Sequence, residues 1–225
     1  MIDHFTRNLT GRDFAVGDVH GCFHLLRQGL DDLGFDPQRD RLFSVGDLVD
    51  RGPDSADVLD WIGQPWFHAV RGNHEQMAID SVAGRYDRDN YRMNGGAWFL
   101  DLPAAQQKHI ATALDALPIA IEVDTARGTI GIVHADIAGR TWAAFRASLL
   151  DAPSRSHLRT ITQTALWSRV RAAQDDDAGV PDLHRLVVGH TPMVEGVRTL
   201  GNVVFIDTGA VFRGGRLSIV ELDAL

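Results

Sequence analysis

Apolar positions along the chain gather into seven short runs, at 14–16, 42–45, 67–70, 129–133, 186–188, 203–206 and 217–220. They are rich in Val, Ile, Leu and Phe, and their length suits buried strands rather than helices. Between the first three runs the spacing changes to that of helices. Phe23, Leu26, Leu30 and Leu33 share one face, as do Val58, Leu59 and Ile62. Strand, helix, strand, helix, strand predicts parallel strands joined by crossover helices.

Further along, the helical period persists for longer. From 76 to 117 the pattern is mostly helical, with Asp101 as the expected N-cap, Pro103 in a first turn, and Ile110, Ala113, Leu114 and Leu117 on one stripe. A second helical stretch starts at 141 and continues irregularly towards 170. The last three apolar runs have no helix between them long enough to cross a sheet, so an antiparallel meander is expected there. No internal repeat or change of composition divides the chain, and the acidic stretch QDDDAGVPD at 174–182 reads as a loop. The expectation is one layered α/β domain over residues 1–225, with helical insertions at about 76–117 and 141–170.

Composition narrows the function classes. The 225 residues are 44% hydrophobic and 23% charged, an ordinary globular balance. No run approaches the roughly 18 apolar residues of a membrane span. The opening MIDHFTRNLTGRD lacks the apolar stretch of a secretory signal, so a cytoplasmic protein without membrane attachment is expected. Cys22 is the single cysteine, which excludes an internal disulfide framework. A formal net charge of −8 argues against a nucleic-acid partner, and attraction for any anionic ligand must then be local. Ten histidines beside an excess of acids favour nitrogen and oxygen ligation if a metal is present.

The chemistry collects where strands end. The first run leads into GDVHG, the second into GDLVDRG, the third into RGNHE, the fourth into HAD and the fifth into GHTP. In open α/β sheets the loops beyond the carboxyl ends of strands converge on ligands. Asp18, His20, Asp47, Asn73, His74, His134 and His190 are therefore candidates for one site. Taken singly, each motif has a plainer reading: D-x-H as a helix cap, GD with DRG as a turn carrying a surface ion pair, GNHE as a turn into a helix. Together, five strand ends carrying Asp, Asn or His point to a binuclear metal centre. Carboxylate, imidazole and amide oxygen suit Mn²⁺, Fe or Zn²⁺, and a bridging carboxylate would hold two ions about 3.5–4 Å apart. Such a pair activates water and holds the oxygens of a phosphate ester. Metals at the site, rather than the surface, would then attract the phosphate.

These motifs resemble the signature of the PPP-family metallophosphatases within the calcineurin-like metallophosphoesterases, and the likeness runs from about residue 13 to 221. AVRGNHEQMAID, NGGAWFLDL at 94–102 and ALWSR are similar to the small bacterial and phage branch that includes the bacteriophage lambda serine/threonine phosphatase. The resemblance implies a central β-sandwich flanked by α-helices. It implies Asp18 and His20 on a first metal, Asp47 bridging, and Asn73, His134 and His190 completing a second, with Mn²⁺ in many bacterial members and Fe or Zn in others. It also implies attack by a hydroxide bridging the two ions, with no phosphoenzyme. His74 would protonate the leaving alkoxide, Asp50 would orient it, and Arg51 and Arg169 would clamp phosphate oxygens, with Asn73 beside them. A nearby carboxylate favours imidazolium, and a guanidinium fork matches a phosphate.

The implied substrates are phosphoserine and phosphothreonine monoesters in proteins or peptides, with phosphotyrosine and small aryl phosphates besides. Symmetrical diadenosine tetraphosphate hydrolases share nearly the same motifs and provide the alternative. A catalytically dead binding module is the rival from another class, but Asp50, Arg51 and His74 would have no use in it. Glu75 is expected to favour the start of its helix, and Asp136 and Asp207 lie near enough in sequence to orient a ligand. His4, His24, His68, His109, His157 and His184 fall outside every motif.

Overall fold

In the computed structural model, which describes residues 1–225, ten strands form: β1 (Ile2–Phe5), β2 (Asp13–Val16), β3 (Arg41–Ser44), β4 (Phe67–Ala69), β5 (Ala120–Thr125), β6 (Gly128–Val133), β7 (Arg185–Val188), β8 (Arg198–Leu200), β9 (Val203–Phe205) and β10 (Ile219–Glu221). They make a four-stranded sheet in the order β10-β2-β3-β4 and a six-stranded sheet in the order β1-β5-β6-β7-β9-β8. The helices are α1 (Phe23–Asp32), α2 (Val58–Ile62), α3 (Asn73–Val82), α4 (Arg88–Tyr91), α5 (Ala97–Leu100), α6 (Ala104–Asp115), α7 (Trp142–Leu150), α8 (Arg155–Trp167) and α9 (Val170–Ala173). None is long and apolar enough to cross a membrane.

Period-two alternation builds the layers. Ala15 and Phe43 of the smaller sheet meet Ile121, Ile130, Ile132, Val187 and Val204 of the larger one in a core between the sheets. Their neighbours along the strands face outward. Phe14, Val16 and Leu42 pack on Phe23 and Leu26 of α1, Met77 of α3 and Leu114 of α6. On the other side, Leu186, Val188, Val203 and Phe205 pack on Phe145 of α7 and Ala165 of α8. The strands are thus covered on both faces, which is why they read as continuous apolar runs. The result is the sandwich flanked by helices that the motifs imply. Burying each large apolar side chain contributes about 1.5–3 kcal/mol, so this double coverage holds the strand ends in place.

The crossover reading holds for β2, β3 and β4, which pair in parallel. The expected meander does not form. β7 and β9 pair in parallel, β8 joins β9 antiparallel at the sheet edge, and β10 leaves for the other sheet to pair antiparallel with β2. An edge strand and its loops, rather than a helix, carry the chain across from β7 to β9. Asp101 is not an N-cap either: Pro103 occupies that position before α6, and the Asp101 carboxylate takes a hydrogen bond from exposed Arg92 at 2.9 Å. Strands β1, β5 and β8 were not anticipated from the apolar runs.

His68 on β4 lies against Phe5, with ring centroids 4.3 Å apart, and burial lowers its pKa from 6.5 to about 4. Between those values the unfolded chain binds a proton that the folded chain does not. Stability therefore falls as pH drops from 6.5 through 4. His68→Leu is expected to narrow the difference in Tm between pH 7.5 and pH 5, measured by thermal unfolding of metal-free protein.

Candidate metal and catalytic site

All of the residues singled out at the strand ends reach one end of the sandwich. Asp18 and His20 follow β2, Asp47, Asp50 and Arg51 follow β3, Asn73 and His74 open α3 after β4, and His134 and His190 follow β6 and β7. Parallel pairing of β2 with β3, of β3 with β4 and of β6 with β7 aims the ends within each sheet the same way, and the contacts of His190 with Asp18 and of His134 with Asn73 join the two sets. Backbone strain gathers at the same place. Of the six non-glycine residues with positive φ, five are His20 (45°), Asp47 (51°), Asp50 (73°), Arg51 (69°) and His190 (64°), the sixth being Asp175. A left-handed conformation costs about 1–2 kcal/mol per such residue, so the surrounding structure must hold these turns.

Glu75 supplies much of that hold. It is fully buried, and its carboxylate accepts the N–H groups of Asp47, Leu48 and Gly72 at 2.8 Å each, and of Val49 at 3.3 Å. The residue caps its helix as expected, but it also ties the turn after β3 to the start of α3. Burial, followed by the charge of Asp47, raises its pKa to about 7. Glu75→Gln would aim an amide N–H₂ at backbone donors. The expected loss is about 2–3 kcal/mol of stability, read as a fall in denaturant midpoint without a change in slope.

Imidazole tautomers follow from the outer partners. His20 Nδ1 donates to the Val49 carbonyl at 3.1 Å and His134 Nδ1 to that of Val45 at 2.8 Å, which leaves both Nε2 lone pairs facing the site. His190 is held the other way round, with Nε2 donating to the Trp167 carbonyl at 3.2 Å and Nδ1 left free. Burial lowers the pKa of His20 and of His190 to about 3 and also depresses that of His134, so all three remain neutral, as metal ligation requires.

Two triads of donor atoms result, His20–Asp47–His74 and Asp47–His134–His190, and they share Asp47. Asp47 Oδ2 lies 3.6 Å from His20 Nε2, and Oδ1 lies 3.4 Å from His134 Nε2. Asn73 Oδ1 stands 2.9 Å from the same His134 nitrogen. With the ring proton on Nδ1, donated in a hydrogen bond to the Val45 carbonyl, His134 Nε2, the amide oxygen and the carboxylate converge as electron-pair donors. A cation reconciles such a set. Asp18 is placed slightly apart: both of its oxygens accept the backbone N–H of His190, at 3.2 and 3.1 Å, outside the two triads. Glycine keeps the space tight, since a Cβ on Gly189 would overlap Asp18 Oδ1 and one on Gly72 would overlap Asp47 Oδ1.

His74, a member of the first triad, is also paired with Asp50. His74 Nδ1 donates to Asp50 Oδ2 at 2.7 Å, with both side chains buried. Burial opposes the charged imidazole, but Asp47 and Asp50 outweigh it and raise the pKa of His74. Arg51 donates to Nε2 of His20 at 2.8 Å and of His74 at 3.0 Å. Arg169 donates to the His190 carbonyl at 3.2 Å. Both arginines are exposed, whereas Asp18, His20, Asp47, Asn73, His74, His134 and His190 are buried. Two exposed arginines thus border a buried cluster of donor side chains.

Asp136 turns away from this arrangement and pairs with buried Arg171. Asp207 stays with it: the carboxylate accepts the Gly209 N–H at 2.9 Å, and burial, together with the nearby charge of Asp47, raises its pKa to about 6. Tyr91 and Trp98 were not anticipated. The hydroxyl of Tyr91 and the indole N–H of Trp98 both donate to Asp50 Oδ1, at 3.0 and 2.7 Å. Trp98 lies inside the NGGAWFLDL stretch, but nothing in that stretch pointed to Asp50, and Tyr91 lies just before it.

Two layered sheets with acidic and imidazole groups gathered at their strand ends are an arrangement suited to holding metal ions. The calcineurin-like phosphoesterase family matches residues 14–215, and the chain belongs to it. A serine/threonine-protein phosphatase 1 of Salmonella typhimurium is 40% identical over 93% of this chain and 91% of its own length. A symmetrical bis(5'-nucleosyl)-tetraphosphatase of Erwinia tasmaniensis is 27% identical over 93% of each chain. Among solved structures, a cold-active protein-tyrosine phosphatase of a psychrophilic Shewanella shares the fold, with a TM-score of 0.64 and 20% identity over 99% of this chain and 78% of its own.

Proposed function

We propose that the protein is a metal-dependent phosphoprotein phosphatase acting on phosphoserine and phosphothreonine monoesters, and on phosphotyrosine as well. One observation carries the choice of substrate: the 40% identity to a serine/threonine phosphatase extends over 93% of the chain, whereas the full-length tetraphosphatase match is at 27%. In this reading Asp18, His20 and Asp47 hold a first ion and Asp47, Asn73, His134 and His190 a second, Mn²⁺ first and Fe or Zn otherwise. When bound, the two ions offset phosphate charge and make water a nucleophile near neutral pH.

The chain's own groups do the rest. Arg51 leaves His20 and His74 for the phosphate oxygens, and Arg169 grips the same group from the opposite motif. This exchange frees Nε2 of His74. With Nδ1–H held by Asp50, protonated His74 gives its Nε2 proton to the departing alkoxide, which would otherwise be a poor leaving group. A phosphoserine peptide and diadenosine tetraphosphate, assayed side by side with Mn²⁺, test the choice. Higher kcat/KM on the phosphopeptide is expected, and preference for the dinucleotide would overturn it.

A further inference from the structure

The two oxygens of Asp50 divide their partners. Oδ2 holds His74 Nδ1–H at 2.7 Å, while Oδ1 accepts both the Tyr91 hydroxyl at 3.0 Å and the Trp98 indole N–H at 2.7 Å. Tyr91 closes α4 and Trp98 lies in α5, and the segment Arg92–Gly96 between them is kinked at Gly95, whose backbone is not helical. Two glycines let that segment close on the site. Gly95 has φ +103°, and a Cβ there would come within 2.6 Å of the Arg51 nitrogen. A Cβ at Gly96 would overlap the ring of Tyr91. The segment therefore rests on the backbone of Arg51 and delivers two donors to the carboxylate next to it in sequence.

We propose that Tyr91 and Trp98 are positioning residues for proton transfer, pinning the Asp50 carboxylate so that one oxygen alone remains for His74. A carboxylate with a single partner can rotate and exchange its oxygens, and the imidazole it holds moves with it. With Oδ1 occupied twice, that rotation breaks two hydrogen bonds in a buried site. Nε2 of His74 is thereby held towards the leaving oxygen, so the insertion containing NGGAW acts on the reaction through Asp50. The inference rests on the proton-donor role proposed for His74.

Tyr91→Phe deletes one oxygen and keeps the buried ring, and Trp98→Phe deletes the indole N–H. The test uses Mn²⁺-loaded protein and a series of substituted phenyl phosphates whose leaving phenols become progressively less acidic. In the double variant kcat is expected to fall about tenfold on the poorest leaving group and by less than about twofold on p-nitrophenyl phosphate, with KM and metal content unchanged. Tyr91→Phe alone should move the same way by about threefold. In a His74→Asn background the pair of substitutions should cost nothing more, because the donor they position is gone.

A readout independent of turnover is the Nδ1–H resonance of His74 in metal-free protein labelled with ¹⁵N-histidine. It should be resolved in the wild type and broadened or lost in the double variant. A uniform loss across the leaving groups, an equal loss in the His74→Asn background, or an unchanged resonance would overturn the proposal. Aryl phosphates serve protein phosphatases and nucleotide phosphoesterases alike. Failure on phosphopeptides would then overturn the substrate reading alone, while a flat leaving-group series with normal phosphopeptide turnover would overturn only the positioning role.

Discussion

His74→Asn is expected to lower kcat on a phosphoserine peptide by about 10²–10⁴-fold, the range for removing a positioned general acid, while bound metal stays unchanged. The loss on p-nitrophenyl phosphate should be far smaller, since that leaving group departs without a proton. Geometry makes this substitution informative, because His74 Nε2 is also one of the three donor atoms in the triad with His20 and Asp47. Its other nitrogen, however, is committed to Asp50 at 2.7 Å, and the adjacent carboxylates raise its pKa where burial lowers that of His20. Those features suit a proton carrier better than a ligand. Parallel assays with metal analysis separate the roles, and loss of metal in the variant would mean that His74 is a ligand.

Asp47→Asn is expected to act on both halves of the site at once. Its Oδ2 faces His20 at 3.6 Å, its Oδ1 faces His134 at 3.4 Å, and Oδ1 also accepts the backbone N–H of His74 at 2.9 Å. An asparagine can keep the last bond through its amide oxygen but brings no charge and only one good ligand atom. Metal content should drop below one ion per chain, and activity should fall by about 10³-fold or more, equivalent to about 4 kcal/mol of transition-state stabilisation. Folding should survive, because the β3 turn remains tied to Glu75. Circular dichroism, metal analysis and kinetics on one preparation check the three statements together. Two retained ions in Asp47→Asn would remove the bridging role.

Legibility in the sequence followed the physics of each element. Strands buried on both faces, such as β7 with Leu186, Val187 and Val188 after Arg185, carry unbroken apolar runs and stood out. β8, with Arg198 and Thr199 at a sheet edge, carries no such run and was invisible; that is also why the path from β7 to β9 was misread as a meander. β1 sits on the opposite edge, and β5 includes Glu122, which accepts the indole N–H of Trp142 and so hides a buried strand behind a charge.

The strand-end residues that the structure brings together were legible because Asp, Asn and His follow short apolar runs at turns marked by glycine. The supporting contacts were not. Glu75 could be read as a helix cap from its place three residues after Gly72, but its bonds to Asp47, Leu48 and Val49 depend on how two loops meet. Tyr91 and Trp98 lie 41 and 48 residues from Asp50, and no local pattern links them to it. Asp136 shows the converse: it is the aspartate of the HAD motif, two residues after His134, yet tertiary packing gives it to Arg171.

In the proposed function, phosphomonoester hydrolysis depends on a binuclear centre formed at these strand ends. Metal analysis of protein purified without chelator, coupled to a phosphopeptide assay after reconstitution with Mn²⁺, Fe or Zn²⁺, tests it most directly. Two ions per chain, with turnover rising as the second site fills and vanishing on chelation, is the predicted result. Full turnover by protein holding less than one ion per chain would contradict it.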